Sequence, residues 1–297
     1  MGCNQKTEEK TEYEIAYDEI DAALNNNSTP VVLDHFYITL DSSTYSNLKR
    51  SKFLQDSYAS IDNGLPDFDM VESHTSSFYI RGEEHYIEIL GPDNSFGEPV
   101  GRNGIGFLLD NDKDFHVGQE LNISKKSGKF LTASDTTTYN INGEDVIWYQ
   151  PFFTTGSIAT ELYTWYSYYN PGFINALYNK KSSKYERSEF LEPVYDDEKL
   201  FQAITAIELI CTKADFLRIV NELHLLNQQL IQNKGSFKVR LNDIDLMLAL
   251  DPELEKSYIK NIHCKLNRED STSLNFGRFE IINSGKKSVW KFNDNQP

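Results

Sequence analysis

Val31-Val32-Leu33-Asp34-His35-Phe36-Tyr37-Ile38-Thr39-Leu40 is the stretch on which the fold turns. Its side chains alternate as a strand requires: Val32, Asp34, Phe36, Ile38 and Leu40 fall on one face, and Leu33, His35, Tyr37 and Thr39 on the other. An imidazole and a phenol therefore share a face. Next, Asp41, Ser42 and Ser43 are good N-caps, and Thr44 to Tyr58 carries Tyr45, Leu48, Phe53 and Leu54 as apolar anchors of a helix. Asn63-Gly64-Leu65-Pro66 ends it. Three strand-like segments follow, 67–72, 77–81 and 85–90, with a turn at Gly82-Glu83-Glu84 and a stop at Gly91-Pro92. Residues 31–92 thus read as one strand, one helix and three strands.

The same order recurs near the C-terminus. Ala203 to Cys211 alternates, Thr212 caps a helix expected to run to Leu230 with Phe216, Val220 and Leu223 on its apolar face, and 237–250 gives two strands around Asn242-Asp243. Asp41-Ser42-Ser43-Thr44-Tyr45 lines up with Thr212-Lys213-Ala214-Asp215-Phe216, and Phe78-Tyr79-Ile80-Arg81 with Phe237-Lys238-Val239-Arg240, which points to a diverged internal duplication. Between the copies, Gly104 to Asp110 reads as a buried strand, and Asp145 to Phe153 as another that Pro151 places at an edge or end. The polar stretch 124–142 reads as a loop. Residues 161–178 are dense in aromatics, and 179–192 are charged and linker-like. A strand at 257–266 and a hairpin through Ser284-Gly285 complete the chain. The expected division is a tether and short docking helix (1–30), a first unit (31–110), an aromatic-rich middle region (111–202) and a second unit with its C-terminal hairpin (203–297).

Lys and Arg number 29 against 45 Asp and Glu, a formal charge of -16 over 297 residues. That surface repels phosphate backbones, so nucleic acid is not an expected partner. No run approaches the roughly 20 apolar residues that cross a bilayer, and the mean hydropathy is -0.52. Cys3, Cys211 and Cys264 are too few for a disulfide scaffold and lack zinc-site spacing. Cys211 and Cys264 lie on apolar strand faces and read as buried thiols, with a disulfide left open. No phosphate-cradling glycine loop, His-Glu-x-x-His helix or Gly-x-Ser-x-Gly elbow is present.

Leu33-Asp34-His35-Phe36-Tyr37-Ile38 and Tyr86-Ile87-Glu88-Ile89-Leu90, set in the duplicated pattern, resemble the vicinal oxygen chelate superfamily, the glyoxalase-like fold. Within it the chain looks nearest to an uncharacterised bacterial glyoxalase-like family. The resemblance implies an α+β fold of duplicated strand-helix-three-strand units forming curved mixed sheets, each packed on its helix and open as a cup on the other face. Leu33, His35, Tyr37 and Thr39 would then line the cup, with Phe36, Ile38 and Leu40 on the helix. His35, Tyr37, Arg81, Tyr86 and Glu88 become candidate ligand-binding residues. His35 and Glu88 match positions that hold a divalent ion (Zn, Fe, Mn or Ni), which would polarise a chelating substrate oxygen. The departures are Ile105, where the following module would bring a His, Ala206, the counterpart of His35, and the apolar Leu246-Met247-Leu248, the counterpart of the Glu88 strand. His85, Glu84, Glu208 and His116 are candidates for a third ligand. Without metal, His35 would bond to Tyr37 or a backbone carbonyl, and Glu88 would pair with Arg81.

Cys3 precedes a polar stretch from Asn4 to Lys10 and resembles the lipidated start of a mature bacterial lipoprotein. The expected function is accordingly a non-catalytic small-ligand-binding or structural lipoprotein of the bacterial cell envelope, touching membrane only through a lipid on Cys3. The alternatives are a divalent-metal-dependent lyase, isomerase or dioxygenase, and a module that presents its acidic surface to a protein partner. A cytoplasmic location is the alternative to the envelope.

Overall fold

The computed structural model describes residues 31–109, 130–132, 136–154, 156–157, 160–226, 228–233, 236–241 and 243–293. It is an α+β protein of two mixed sheets. The first unit runs β1 (Val31–Thr39), α1 (Ser42–Lys49), a π-helical turn (Leu54–Tyr58), β2 (Ser60–Asp62), β3 (Ser77–Arg81) and β4 (Tyr86–Leu90). Asp41 caps α1 by accepting from the Ser43 and Thr44 amides at 3.0 and 3.1 Å. The expected continuous helix to Tyr58 is broken after Lys49. The segment 67–72 is not a strand either: the Asn63 amide bonds to Asp69 O at 2.9 Å and folds 63–69 into a loop, so the strand is the three residues before it.

β5 (Asn103–Leu109), β6 (Phe130–Thr132), β7 (Thr137–Ile141), β8 (Glu144–Thr154) and β9 (Leu162–Tyr169) continue the same sheet, in the order β2-β3-β4-β1-β5-β9-β8-β6 with β7 also on β8. The first sheet therefore runs across the expected boundary at residue 110. β5 pairs parallel with β9 as β1 does with β4. The polar stretch expected as a loop supplies β6 and β7. Pro151 stands inside β8 opposite Ser167 of β9 rather than at a sheet edge or strand end, and on the other side it falls between the β7 pairing, which ends at Tyr149, and the β6 pairing, which begins at Phe152. α2 (Pro171–Tyr178) and α3 (Arg187–Leu191) follow. The buried Phe190 and Leu191 make the latter part of the fold rather than a linker.

The second sheet repeats the plan with β10 (Phe201–Cys211), α4 (Lys213–Leu225), β11 (Leu230–Asn233), β12 (Ser236–Arg240) and β13 (Asp245–Leu250), extended by β14 (Tyr258–Asp270), β15 (Ser273–Asn275) and β16 (Phe279–Phe292). Leu230 opens a strand instead of closing the helix. Ser284-Gly285 makes no hairpin; the chain runs through it as one strand, with Gly285 opposite Asp270. The strand-helix-three-strand unit is thus present in both sheets, with β1·β4 and β10·β13 parallel.

One core joins the two sheets: Phe36 and Ile38 of β1, Phe107 of β5, Ile207 and Leu209 of β10, Phe216, Val220 and Leu223 of α4 and Trp290 of β16 belong to a single buried cluster. Each such side chain contributes about 1.5–3 kcal/mol by leaving water. Both helical segments reach the opposite sheet. Tyr58 accepts from Trp290 Nε1 at 2.7 Å, while Glu222 of α4 accepts from Thr164 and Tyr166 of β9 at 2.7 and 3.1 Å. Cys211 and Cys264 are free, buried thiols in this core.

Candidate functional site

Strand β1 does not alternate throughout. Its pairing with β5 steps from Leu33 opposite Phe107 to His35 opposite Gly106, leaving Asp34 as the extra residue of a β-bulge. The bulge reverses three expected placements, among them Val32, which packs with Tyr86 and Tyr169. Leu33 packs in the core with Phe36 and Ile38, and Asp34 turns to the cup side beside His35.

His35 Nδ1 lies 2.6 Å from Asp34 Oδ2 and 2.9 Å from the Tyr86 hydroxyl, and its ring stacks on Tyr86 with centroids 4.5 Å apart. The Tyr169 hydroxyl donates to the same Asp34 oxygen. A carboxylate oxygen accepts, so the proton in the Asp34 contact belongs to Nδ1. Nε2 faces Glu88 Oε2 at 3.8 Å, too far for a direct hydrogen bond. The other oxygen of Glu88 accepts from the Tyr79 hydroxyl at 2.8 Å. Burial pushes the Glu88 carboxyl above its usual range, against the opposing pull of His35 and Tyr79. Burial, with Glu98 beside it, likewise pushes the Tyr37 phenol up.

His35 and Glu88 form the floor of a cavity of about 220 Å³. Tyr37, Tyr149, Tyr163 and Trp165 supply aromatic walls, Leu90, Phe96 and Pro151 apolar ones, and Glu98 a second carboxylate. Tyr163 and Trp165 stack at 5.5 Å, and Trp165 meets the His35 ring edge-on at 5.2 Å. Arg102 holds Glu98 at 3.3 Å.

Of the five expected binding residues, His35, Tyr37 and Glu88 line the cavity. Tyr86 lies behind them as a support for His35, which takes Asp34 and Tyr86 rather than Tyr37 as partners. Arg81 does not pair with Glu88. Register sets Tyr79 opposite Glu88 and Arg81 opposite Tyr86, and the guanidinium is held by Asp62 through two bonds of 2.7 Å. Sequence reading misses Asp34, Tyr149, Phe96 and Glu98, and finds Tyr163 and Trp165 only as members of an aromatic run able to stack a planar ligand. Alternation along β9 carries a signal for Tyr163 and Trp165, whereas the bulge hides Asp34.

The candidates for a third metal ligand do not converge. His85 bonds to Asp243 at 2.9 Å, and Glu208 to His263 at 2.6 Å on the second sheet. Glu84 lies in the β3–β4 turn, outside the cavity lining. His116 and Cys3 lie outside the described residues. Strand β5 cannot contribute. Ile105 faces the core opposite Phe36, and the cup-facing positions are Gly104 and Gly106. A Cβ there would come 2.1 Å from the Tyr37 ring and 2.4 Å from the Trp165 ring, so glycine is what lets the aromatic walls close in. Among the described residues no group of three or more His, Cys, Asp or Glu is placed to hold a metal ion.

The chain belongs to the family of unknown function DUF5829, whose model matches residues 33–292. No curated sequence matches it. Among solved structures it is similar to a hypothetical protein from Staphylococcus aureus, with 12% identity, 82% of this chain and 95% of that one covered, and a TM-score of 0.48. It is also similar to homoprotocatechuate 2,3-dioxygenase from Brevibacterium fuscum in its anaerobic complex with 3,4-dihydroxyphenylacetate (10% identity, 80% and 66% covered, TM-score 0.38). The homoprotocatechuate 2,3-dioxygenase of Arthrobacter globiformis gives 8% identity, 93% and 85% covered, and a TM-score of 0.39. None of the three is alike enough to carry a reaction across.

Proposed function

We propose that this member of DUF5829 is a small-molecule-binding protein whose ligand sits in the cup of the first sheet. The observation that supports the reading is the cup itself: an aromatic-walled cavity of about 220 Å³ over a floor where His35 Nε2 and Glu88 Oε2 point at each other without bonding. Preformed apolar pockets with a few convergent polar groups are the usual form of such sites. Both floor groups are held in place from behind, His35 by Asp34 and Tyr86, and Glu88 by Tyr79. Binding therefore orders little that is not already ordered.

Calorimetric titration with phenol, benzyl alcohol, benzylamine and benzoate tests the reading. At least one fragment should bind, and Tyr163→Ala, which removes one wall, should weaken it at least fivefold. No binding by any fragment, or binding indifferent to Tyr163, would sink the proposal. The envelope location belongs to the same proposal. Native full-length protein should partition into detergent and become soluble on Cys3→Ser, and recovery in cytosol with an unmodified Cys3 would overturn it.

A further inference from the structure

The cup floor constrains which ligand it can take. Two polar atoms of the floor, His35 Nε2 and Glu88 Oε2, face each other unbonded, and they act as paired acceptors when His35 carries its one proton on Nδ1 against Asp34 and Glu88 is ionised, its other oxygen accepting from Tyr79. They stand 3.8 Å apart, and a single nitrogen at about 2.9 Å from each can bridge that gap. A ligand hydroxyl has one proton and would satisfy one acceptor; an ammonium has three. Glu88 is only 7% exposed, so its carboxylate lies where an unmatched charge is expensive. Glu98, the other acid of the lining, is already held by Arg102. Around the floor, Tyr37, Tyr163 and Trp165 stack in sequence, with Tyr37–Trp165 at 6.0 Å and Tyr163–Trp165 at 5.5 Å. These rings suit a flat apolar body, and their faces attract a cation.

We infer that the cup selects a protonated primary amine carried on a planar, aryl-type body, with the ammonium bridging His35 Nε2 and Glu88 Oε2. This inference rests on the binding reading above and narrows it to one ligand class. No covalent step is involved.

The test compares three probes of near-equal size by titration calorimetry on the intact chain: benzylammonium, benzyl alcohol and benzyltrimethylammonium. Benzylammonium should bind at least tenfold more tightly than either. The alcohol lacks the charge and two of the donors, and the trimethyl cation keeps the charge but has no N–H. Glu88→Gln should bring benzylammonium and benzyl alcohol within about threefold of each other. Equal or tighter binding of the alcohol would overturn the amine class while leaving the cup as a binding site. A trimethyl cation that matches benzylammonium would overturn the bridging nitrogen. This comparison uses the unaltered protein and decides the matter even if Glu88→Gln fails to fold. Failure of all three probes and of the wider fragment set would instead remove the binding reading beneath it.

Discussion

Strand β1 of the first sheet and β10 of the second share a bulge at the corresponding place, and β10 shifts register at two further points. The pairing of β1 with β5 skips Asp34 between Leu33 and His35, and that of β10 with β14 skips Thr205 between Ile204 and Ala206. In both strands the residue before the bulge is in the shared core, as are the alternating apolar residues beyond it, Phe36 and Ile38 in one and Ile207 and Leu209 in the other. The cup faces differ. Asp34 and His35 have become Thr205 and Ala206, and Glu88 has become Met247 by register. The two units agree where packing needs it and differ at the outward positions. The buried imidazole–carboxylate pair lies in the first sheet, and the pair of the second, Glu208 and His263, is part-exposed.

The two bulges are clasped to each other. The Leu33 amide donates to Asp243 Oδ1 at 3.2 Å, the Ile204 amide to His85 Nδ1 at 3.2 Å, and His85 and Asp243 bond at 2.9 Å. Arg187 adds a contact to Asp243 at 2.9 Å. The turn of each sheet thus secures the bulge of the other, and the bulge that aims Asp34 and His35 is held from the second sheet.

Packing equivalence is tested by the largest expected effects. Phe36→Ala and Phe216→Ala should each lower unfolding free energy by about 3–5 kcal/mol in denaturant titrations. A loss confined to one sheet would show that the two do not share a core. Asp243→Ala should cost about 3 kcal/mol, because it strands a buried Arg187 and His85 and frees the bulge amide. It should also weaken fragment binding in a cup it does not touch; unchanged affinity would separate the clasp from the site.

The clasp has an acid signature. His85 is lowered to about 4 by burial and by Arg187, and its Nδ1 already accepts the Ile204 N–H, leaving no place for a second proton. The unfolded chain takes that proton below about 6.5, so stability should fall as pH drops from there to about 4 and then level off for this group. Burial alone would raise Asp243, but His85, Arg187 and the Leu33 amide hold it down to about 2. Its contribution, present above the ordinary carboxylate value, should be lost as pH approaches 2. An NMR titration in which His85 protonates near 6.5 in the folded protein would break this account.

The smallest effect is expected on the second sheet. Glu208 and His263 form a part-exposed pair, so Glu208→Gln should change stability by less than about 1 kcal/mol and leave cup binding alone. A large functional loss would move chemistry to the second sheet.

The sequence made legible whatever repeats with a fixed period over several residues. Strands β1, β3, β4, β5 and β10 and the Thr212 cap were readable because burial on one face dictates alternation, and caps have specific chemistry. Short or local departures were not readable. β2 has three residues, too few to show a period. β6 has only three residues, β7 is mostly polar, and both owe their pairing to β8. The bulge at Asp34 is decided by partner strands distant in sequence, so alternation assigned Val32, Leu33 and Asp34 to the wrong faces. The walls at Tyr163 and Trp165 depend on Gly104 and Gly106 across the sheet, a juxtaposition that no local pattern reveals.

The most direct test of the central claim is where a fragment binds. Amide and indole chemical shifts should be followed on the intact protein while benzylamine is added. The account expects saturable shifts at His35, Tyr37, Glu88 and Trp165, with Ala206, Glu208 and His263 unmoved. Saturable shifts at the second-sheet residues with the first cup silent would contradict it.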